Sequence, residues 1–213
     1  VTTLSQSRAP RGRRSTRPSG DDREQAILAT AERLLDDRSF ADISVDDLAK
    51  GAGLSRPAFY FYFPSKDAVL LTLVERVIVE ADGALEGLVA TLSDDREQFW
   101  RTAINVFFET FVRHKGVTRA GHAIRASHPE CAQLLATFMQ KWIDRTADAI
   151  EAERGRGAAP TTLPARDLAT ALNLMNERTL FASFSDERPA LPQEQVLDTL
   201  VHIWISSIYG AAH

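Results

Sequence analysis

Cysteine is nearly missing: Cys131 is the single one among 213 residues. That excludes a disulfide within the chain and any cysteine-based zinc site, and it suits a reducing cytoplasm. No stretch of about eighteen uncharged apolar residues occurs, so no membrane span is expected. The start of the chain also lacks the apolar segment of a secretory signal. Histidine is scarce. His114, His122, His128, His202 and His213 show no metal-ligand spacing, and no His-Glu-x-x-His pattern exists. Gly51-Ala52-Gly53 misses the third glycine of a dinucleotide loop and follows a helical pattern rather than a strand. Glu177, within Asn-Glu-Arg, has neither a nucleophile nor an orienting partner legible beside it. The expectation is therefore a cytoplasmic, non-enzymatic chain without metal or cofactor. Glycine and proline are sparse inside the apolar stretches while alanine, leucine, glutamate and arginine abound, which favours helix over sheet.

Charge is unevenly spread. Residues 1–72 carry 11 basic and 10 acidic side chains, whereas 73–213 carry 14 and 19, giving balances of +1 and −5. Arg8, Arg11, Arg13, Arg14 and Arg17 precede the first acidic residue, so residues 1–18 read as a flexible arginine-rich arm. Such an arm suits a polyanion partner, although a merely solvated tail has the same composition.

Helical signals follow one another along the rest. Ser19 with Asp22 has the spacing of a capping box, and Ile27, Leu28, Ala31, Leu34 and Leu35 recur at helical period until Asp36, Asp37 and Ser39 break it. Ser44 with Asp47 repeats the box before a short helix that Gly51-Ala52-Gly53-Leu54 closes. Ser55 caps another short helix with Pro57 in its first turn, and Ser65 caps a longer one running to about Leu92. Five more are expected at about Asp94–His114, Val117–Ala126, Pro129–Arg154, Pro164–Phe184 and Pro192–Tyr209. The expected fold class is all-α: three helices over 19–64, then six over 65–213, which a family resemblance carried by residues 43–66 makes a DNA-binding domain and a ligand-binding and dimerisation domain.

Two short capped helices joined by a glycine-bearing turn form a helix-turn-helix, whose second helix enters the major groove with its N-terminal residues at the base edges. Those residues are Ser55, Arg56, Pro57 and Ala58. Arg56 suits a guanine and the Ala58 methyl a thymine, while Ser44, Tyr60, Tyr62 and Lys66 complete the candidate DNA-binding set, the tyrosines and Lys66 as phosphate contacts. Phe59 and Phe63 are expected in the core. At this point Ile43-Ser44-Val45-Asp46-Asp47-Leu48-Ala49, Gly53-Leu54-Ser55 and Phe59-Tyr60-Phe61-Tyr62-Phe63-Pro64-Ser65-Lys66 resemble the signature of the TetR family of repressors. The resemblance implies operator DNA as a partner, a small apolar effector, and a homodimer made by the last two helices. Further stretches, among them Asn105-Val106-Phe107-Phe108-Glu109 and Asn173-Leu174-Met175-Asn176-Glu177-Arg178, resemble one member that controls a monooxygenase gene.

The second half carries much aromatic surface. Trp100, Ala103, Ile104, Phe107 and Phe111 share one helical face, and Phe138, Met139, Trp142 and Thr146 share another. Phe181 and Trp204 add bulk from the last two helices. Such residues can be core or can line a cavity. Asn173 and Asn176 lie three apart in an apolar helix, and buried amides want partners, from the protein or from a ligand. By resemblance, Trp100, Ile104, Phe107, Phe111, Met139, Trp142, Asn173, Asn176, Phe181 and Trp204 line an apolar tunnel. Leu135 stands where the relative is expected to have tryptophan, and Arg145 where it has tyrosine. Leu135 would reshape the tunnel; Arg145 is either a head-group contact or a solvated helix charge. Val196, Leu197, Leu200, Val201, Ile203, Trp204 and Ile208 are apolar over more than one helical face, as a symmetric four-helix interface requires. An apolar-ligand carrier with a non-functional DNA-binding domain is the alternative reading, and an activator is compatible with the same residues.

Overall fold

The computed structural model describes residues 19–89, 95–185 and 187–210. The expected arm at 1–18, and the expected end of the long helix at Leu92, lie outside the described residues. Within them the chain forms nine α-helices and no strand. These are α1 (Gly20–Asp37), α2 (Val45–Gly51), α3 (Arg56–Tyr62), α4 (Lys66–Val89), α5 (Arg96–Arg113), α6 (Lys115–Ile124), α7 (Pro129–Gly155), α8 (Ala165–Phe184) and α9 (Gln193–Tyr209).

The helix starts follow the local chemistry of the sequence. Asp22 N–H donates to Ser19 Oγ at 3.1 Å while Ser19 N–H donates to the Asp22 carboxylate at 2.8 Å. Ser44 and Asp47 repeat this with distances of 3.1 and 2.9 Å. These bonds to their capping serines hold both carboxyls below the usual aspartate range. Ser55 Oγ accepts from Ala58 N–H at 3.4 Å, Ser65 Oγ from Ala68 N–H at 3.1 Å, and Asp95 caps α5 through Glu97 and Gln98. A single-turn 3-10 helix at Phe40–Asp42 was not expected from the pattern. Its cause is local: the Ser39 hydroxyl donates to the Asp42 carboxylate at 2.6 Å.

Two cores result. The first joins α1, α2 and α3 to α4 and α6 through Ile27, Leu28, Leu48, Phe59, Val69, Leu70, Val74, Val117 and their neighbours. The second joins α5, α7, α8 and α9 around Trp100, Ile104, Ile150, Leu172, Leu200 and Trp204. The expected boundary at residues 64/65 thus falls inside the first core, because α4 buries one face against the reading helices. Only His114 separates α5 from α6, a sharper corner than the sequence suggested. α6 then lies against the end of α1 so closely that a Cβ on Gly116 would sit 2.7 Å from the Leu35 carbonyl. Glycine is required there by proximity, not by backbone angle.

Candidate ligand cavity and nucleic-acid interface

The turn between α2 and α3 is made by Gly53, at φ +68°, where residues with a Cβ are strained. Leu54 N–H closes it by donating to Ala49 O at 2.8 Å. This sets α3 across the molecule with Phe59 fully buried and Ser55, Arg56, Pro57 and Tyr60 exposed. Ala58 is half-buried. The Arg56 guanidinium lies 5.9 Å from the Tyr60 ring centroid, 3.4 Å from its hydroxyl and 3.5 Å from the Asp46 carboxylate. Tyr62 is half-buried against the first core. Ser44 is exposed at the start of α2, its oxygen engaged in the capping box.

Lys66 is engaged within the protein. It was expected to hold a phosphate, but its ammonium donates to Phe40 O and Ile43 O at 2.9 Å each and to Ala41 O at 3.4 Å. It also lies 4.5 Å from the Phe40 ring centroid. Three carbonyls occupy the three ammonium protons, so Lys66 pins the 3-10 turn to α4. The residue that sequence reasoning missed is Phe61. Its ring is 83% exposed, on the same open face of α3 as Pro57. A run of five aromatics contains no periodic signal that singles it out.

Below the reading head, α4, α5, α6, α7 and α8 enclose a cavity with about 830 Å³ of empty space, its opening to solvent included. Of the expected residues, Phe107, Phe111, Met139, Trp142, Asn173, Asn176 and Phe181 line it, and Leu135 does so as well. Trp100, Ala103, Ile104, Thr146 and Trp204 are not brought to its wall. Trp100 and Trp204 instead pack on each other with centroids 5.1 Å apart, and Trp100 Nε1–H donates to the Tyr209 hydroxyl at 3.0 Å. Ile104 is buried in the second core beside them, Ala103 is half-buried, and the Thr146 hydroxyl accepts from Asn173. Among the lining residues that were not expected, Val74, Val77, Ile78, Val117, Thr118 and His122 come from α4 and α6, and Glu177, Leu180 and Phe184 from α8. Arg145 bridges to Asp82 and Glu86 of α4 at 3.5 and 2.8 Å, which accounts for it as an inter-helix ion pair.

Hydrogen-bond chemistry orients the two amides. Trp204 Nε1–H is only a donor, so the Asn176 atom 2.9 Å from it is Oδ1, while Asn176 itself lines the cavity and its NH2 has no hydrogen-bond partner among the described residues. Asn173 Nδ2 donates to Ala169 O at 2.9 Å and to Thr146 Oγ1 at 3.1 Å, leaving its oxygen free. Trp142 Nε1 is buried and also lacks a partner among the described residues.

At one rim the His122 ring stacks on Phe181 at 4.3 Å, with Nε2 3.8 Å from Glu177. Burial pushes the His122 imidazole below its usual range, with the Glu177 charge opposing. The unfolded chain therefore takes up this proton first. His122 contributes stability that is complete above about pH 6.5 and is lost as the pH falls below it. His122→Phe, which keeps the stacking, is expected to lose less melting temperature than the parent between about pH 7.5 and 5.5. Equal losses in thermal melts would show that this ring is not a source of the acid sensitivity.

A scan against family models matches residues 27–73 to the bacterial regulatory proteins of the tetR family and residues 100–210 to the C-terminal domain of the transcriptional regulator EthR. The HTH-type transcriptional regulator EthR of Mycobacterium tuberculosis is 70% identical over 99% of this chain and 98% of its own length. The chain belongs to the TetR family, within its EthR group. EthR of Mycolicibacterium smegmatis is 57% identical over 99% of this chain and 97% of that one. In fold, the fatty acid degradation regulator FadR from Bacillus halodurans is similar at a TM-score of 0.71 and 14% identity, covering 92% of this chain and 100% of that one. The chain is thus a helix-turn-helix transcriptional regulator and not an enzyme. No helix among the described residues is long and apolar enough to cross a membrane.

Proposed function

We propose that the chain is a dimeric repressor that leaves its operator when a small apolar molecule enters the cavity. The main support is helix α6. One of its faces supplies Val117, Thr118, Gly121 and His122 to the cavity wall. Its other face grips α1 of the reading head. Gly116 touches Leu35, Arg119 Nη2 donates to Asp36 O at 3.2 Å, and His114, just before α6, lies 2.5 Å from Glu32 of α1 and 3.1 Å from Glu80 of α4. A ligand that displaces α6 shifts α1 and α4 with it, since the three share the first core.

The dimer forms through α8 and α9, where Ala171, Leu174 and His202 are exposed and Met175 and Ile203 half-buried. It holds two copies of α3 about 34–36 Å apart, in successive major grooves, with Ser55, Arg56, Ala58 and Tyr60 at the DNA. Ligand changes that spacing. Coupling of about 1–3 kcal/mol weakens DNA binding roughly 5- to 150-fold. The effector is elongated and mostly apolar with a hydrogen-bond acceptor, for which the Asn176 amide at the cavity wall is the donor. A neighbouring monooxygenase gene is the proposed target.

A mobility-shift titration tests this, using DNA upstream of the chain's own gene at two salt concentrations, with and without a long-chain ester. A steeply salt-dependent shift, released by the ester, with light scattering giving a dimer, is the expected result. A shift indifferent to the ester and to related amides would sink the effector reading. No shift on any promoter would favour an apolar-ligand carrier.

A further inference from the structure

The reading helix α3 presents two strips to solvent, one turn long each. Arg56 and Tyr60, four residues apart, form a polar strip joined by the contacts described above. Pro57 and Phe61, also four apart, form an apolar strip beside it. Among the described residues, the ring partner of Phe61 is its neighbour Tyr62, at 5.2 Å between centroids. An 83% exposed phenyl on a seven-residue helix is not held there by the core, which Phe59 and Phe63 already fill. It has no donor or acceptor, so it contributes nothing to reading a phosphate or a polar base edge.

The major groove offers one apolar group, the C5 methyl of thymine. Exposed Arg56 stands beside the strip on the same helix, which suits DNA rather than an apolar protein partner. Resting on the proposed operator binding, we infer that Phe61, backed by Pro57, is a specificity-determining residue that packs on a thymine methyl in each half-site. Arg56 and Phe61 then divide the reading between them: a hydrogen-bonding base edge beside an apolar one.

The test uses the duplex that the full-length protein selects from a random library, with each thymine of the half-site replaced in turn by deoxyuridine, which removes only the methyl. Dissociation constants are measured for the parent and for Phe61→Ala, with circular dichroism and melting temperature as controls. Burying one methyl accounts for roughly fourfold in affinity, or about fifteenfold when both half-sites carry the change. The expected result is that loss at one thymine position for the parent, and none at that position for Phe61→Ala. Phe61→Tyr, which adds a hydroxyl at the ring tip, is expected to weaken discrimination against deoxyuridine without unfolding the protein. Selection of a duplex whose thymines are all replaceable without loss would overturn the Phe61 reading alone, as would an unchanged deoxyuridine penalty in Phe61→Ala. Failure of the parent to select any duplex overturns the operator reading and this one with it.

Discussion

Phe59→Ala is expected to destabilise the reading head by about 3–5 kcal/mol and to abolish sequence-specific DNA binding. Phe59 is 0% exposed in the first core, its ring 6.2 Å from Phe63 and 5.5 Å from Tyr60. Truncation leaves a cavity in the first core, with both the transfer loss and the lost packing counted in that range. The seven-residue helix α3 has no independent stability to fall back on, because helices that short are marginal in water. Its orientation comes from this ring. Chemical denaturation followed by tryptophan fluorescence would miss part of the effect, since Trp100, Trp142 and Trp204 all lie in the other half of the chain. Amide hydrogen exchange of α2 and α3 reads it directly. Retention of native exchange protection and of operator affinity in Phe59→Ala would contradict the packing described here. Phe61→Ala, two residues on, is the internal contrast: it changes base discrimination and leaves stability within about 0.5 kcal/mol, as exposed substitutions do.

Asn176→Leu is the second large effect. It removes the acceptor 2.9 Å from Trp204 Nε1 and leaves a buried indole N–H without a partner, which costs about 1–3 kcal/mol. It also removes an amide from the cavity wall, so on the proposed function release of DNA is expected to need about tenfold more of the ester. Trp204→Phe alone orphans the amide oxygen in the same way. The double variant Asn176→Leu/Trp204→Phe has no unsatisfied group at that position, so it is expected to be more stable than the sum of the single losses by about 1 kcal/mol or more. Urea denaturation of the four proteins gives the coupling. Strict additivity would mean that the bond contributes nothing beyond the volumes of its two side chains. Ligand response and stability separate in the double variant: stability recovers in part, whereas the effector response does not.

The parts of this protein legible in its sequence are those set by neighbours in the chain. Capping at Ser19, Ser44, Ser55 and Ser65 was legible because each bond spans three residues, and the spacing of serine, aspartate and glycine records it. Helical period did the same for the nine helices. Asn173 and Asn176 were legible as buried amides because they interrupt an apolar face. The partners of Lys66 were not legible, for a definite reason. Its three acceptors are carbonyls at positions 40, 41 and 43, about 25 residues away, and backbone carbonyls leave no mark on a sequence.

Sequence alone determined the helical class, the helix-turn-helix with its turn glycine, and the supply of aromatic and amide groups from which a cavity is built. Tertiary structure decided how those groups were divided. Phe59 and Phe61 are identical in type and differ only in which side of α3 meets the first core. Trp100 and Trp204 pack on each other, while Phe107 and Trp142 face the cavity. Val74, Val77 and Val117 read as ordinary core, and become cavity wall only because α4 and α6 cross beside α8. The physical reason is that helical period fixes which residues share a face, whereas the element opposite that face is chosen by packing between distant segments. Gly116 shows the same division. As a residue in a helix it is only a weak former; its role exists because the Leu35 carbonyl of another helix lies where a Cβ would be.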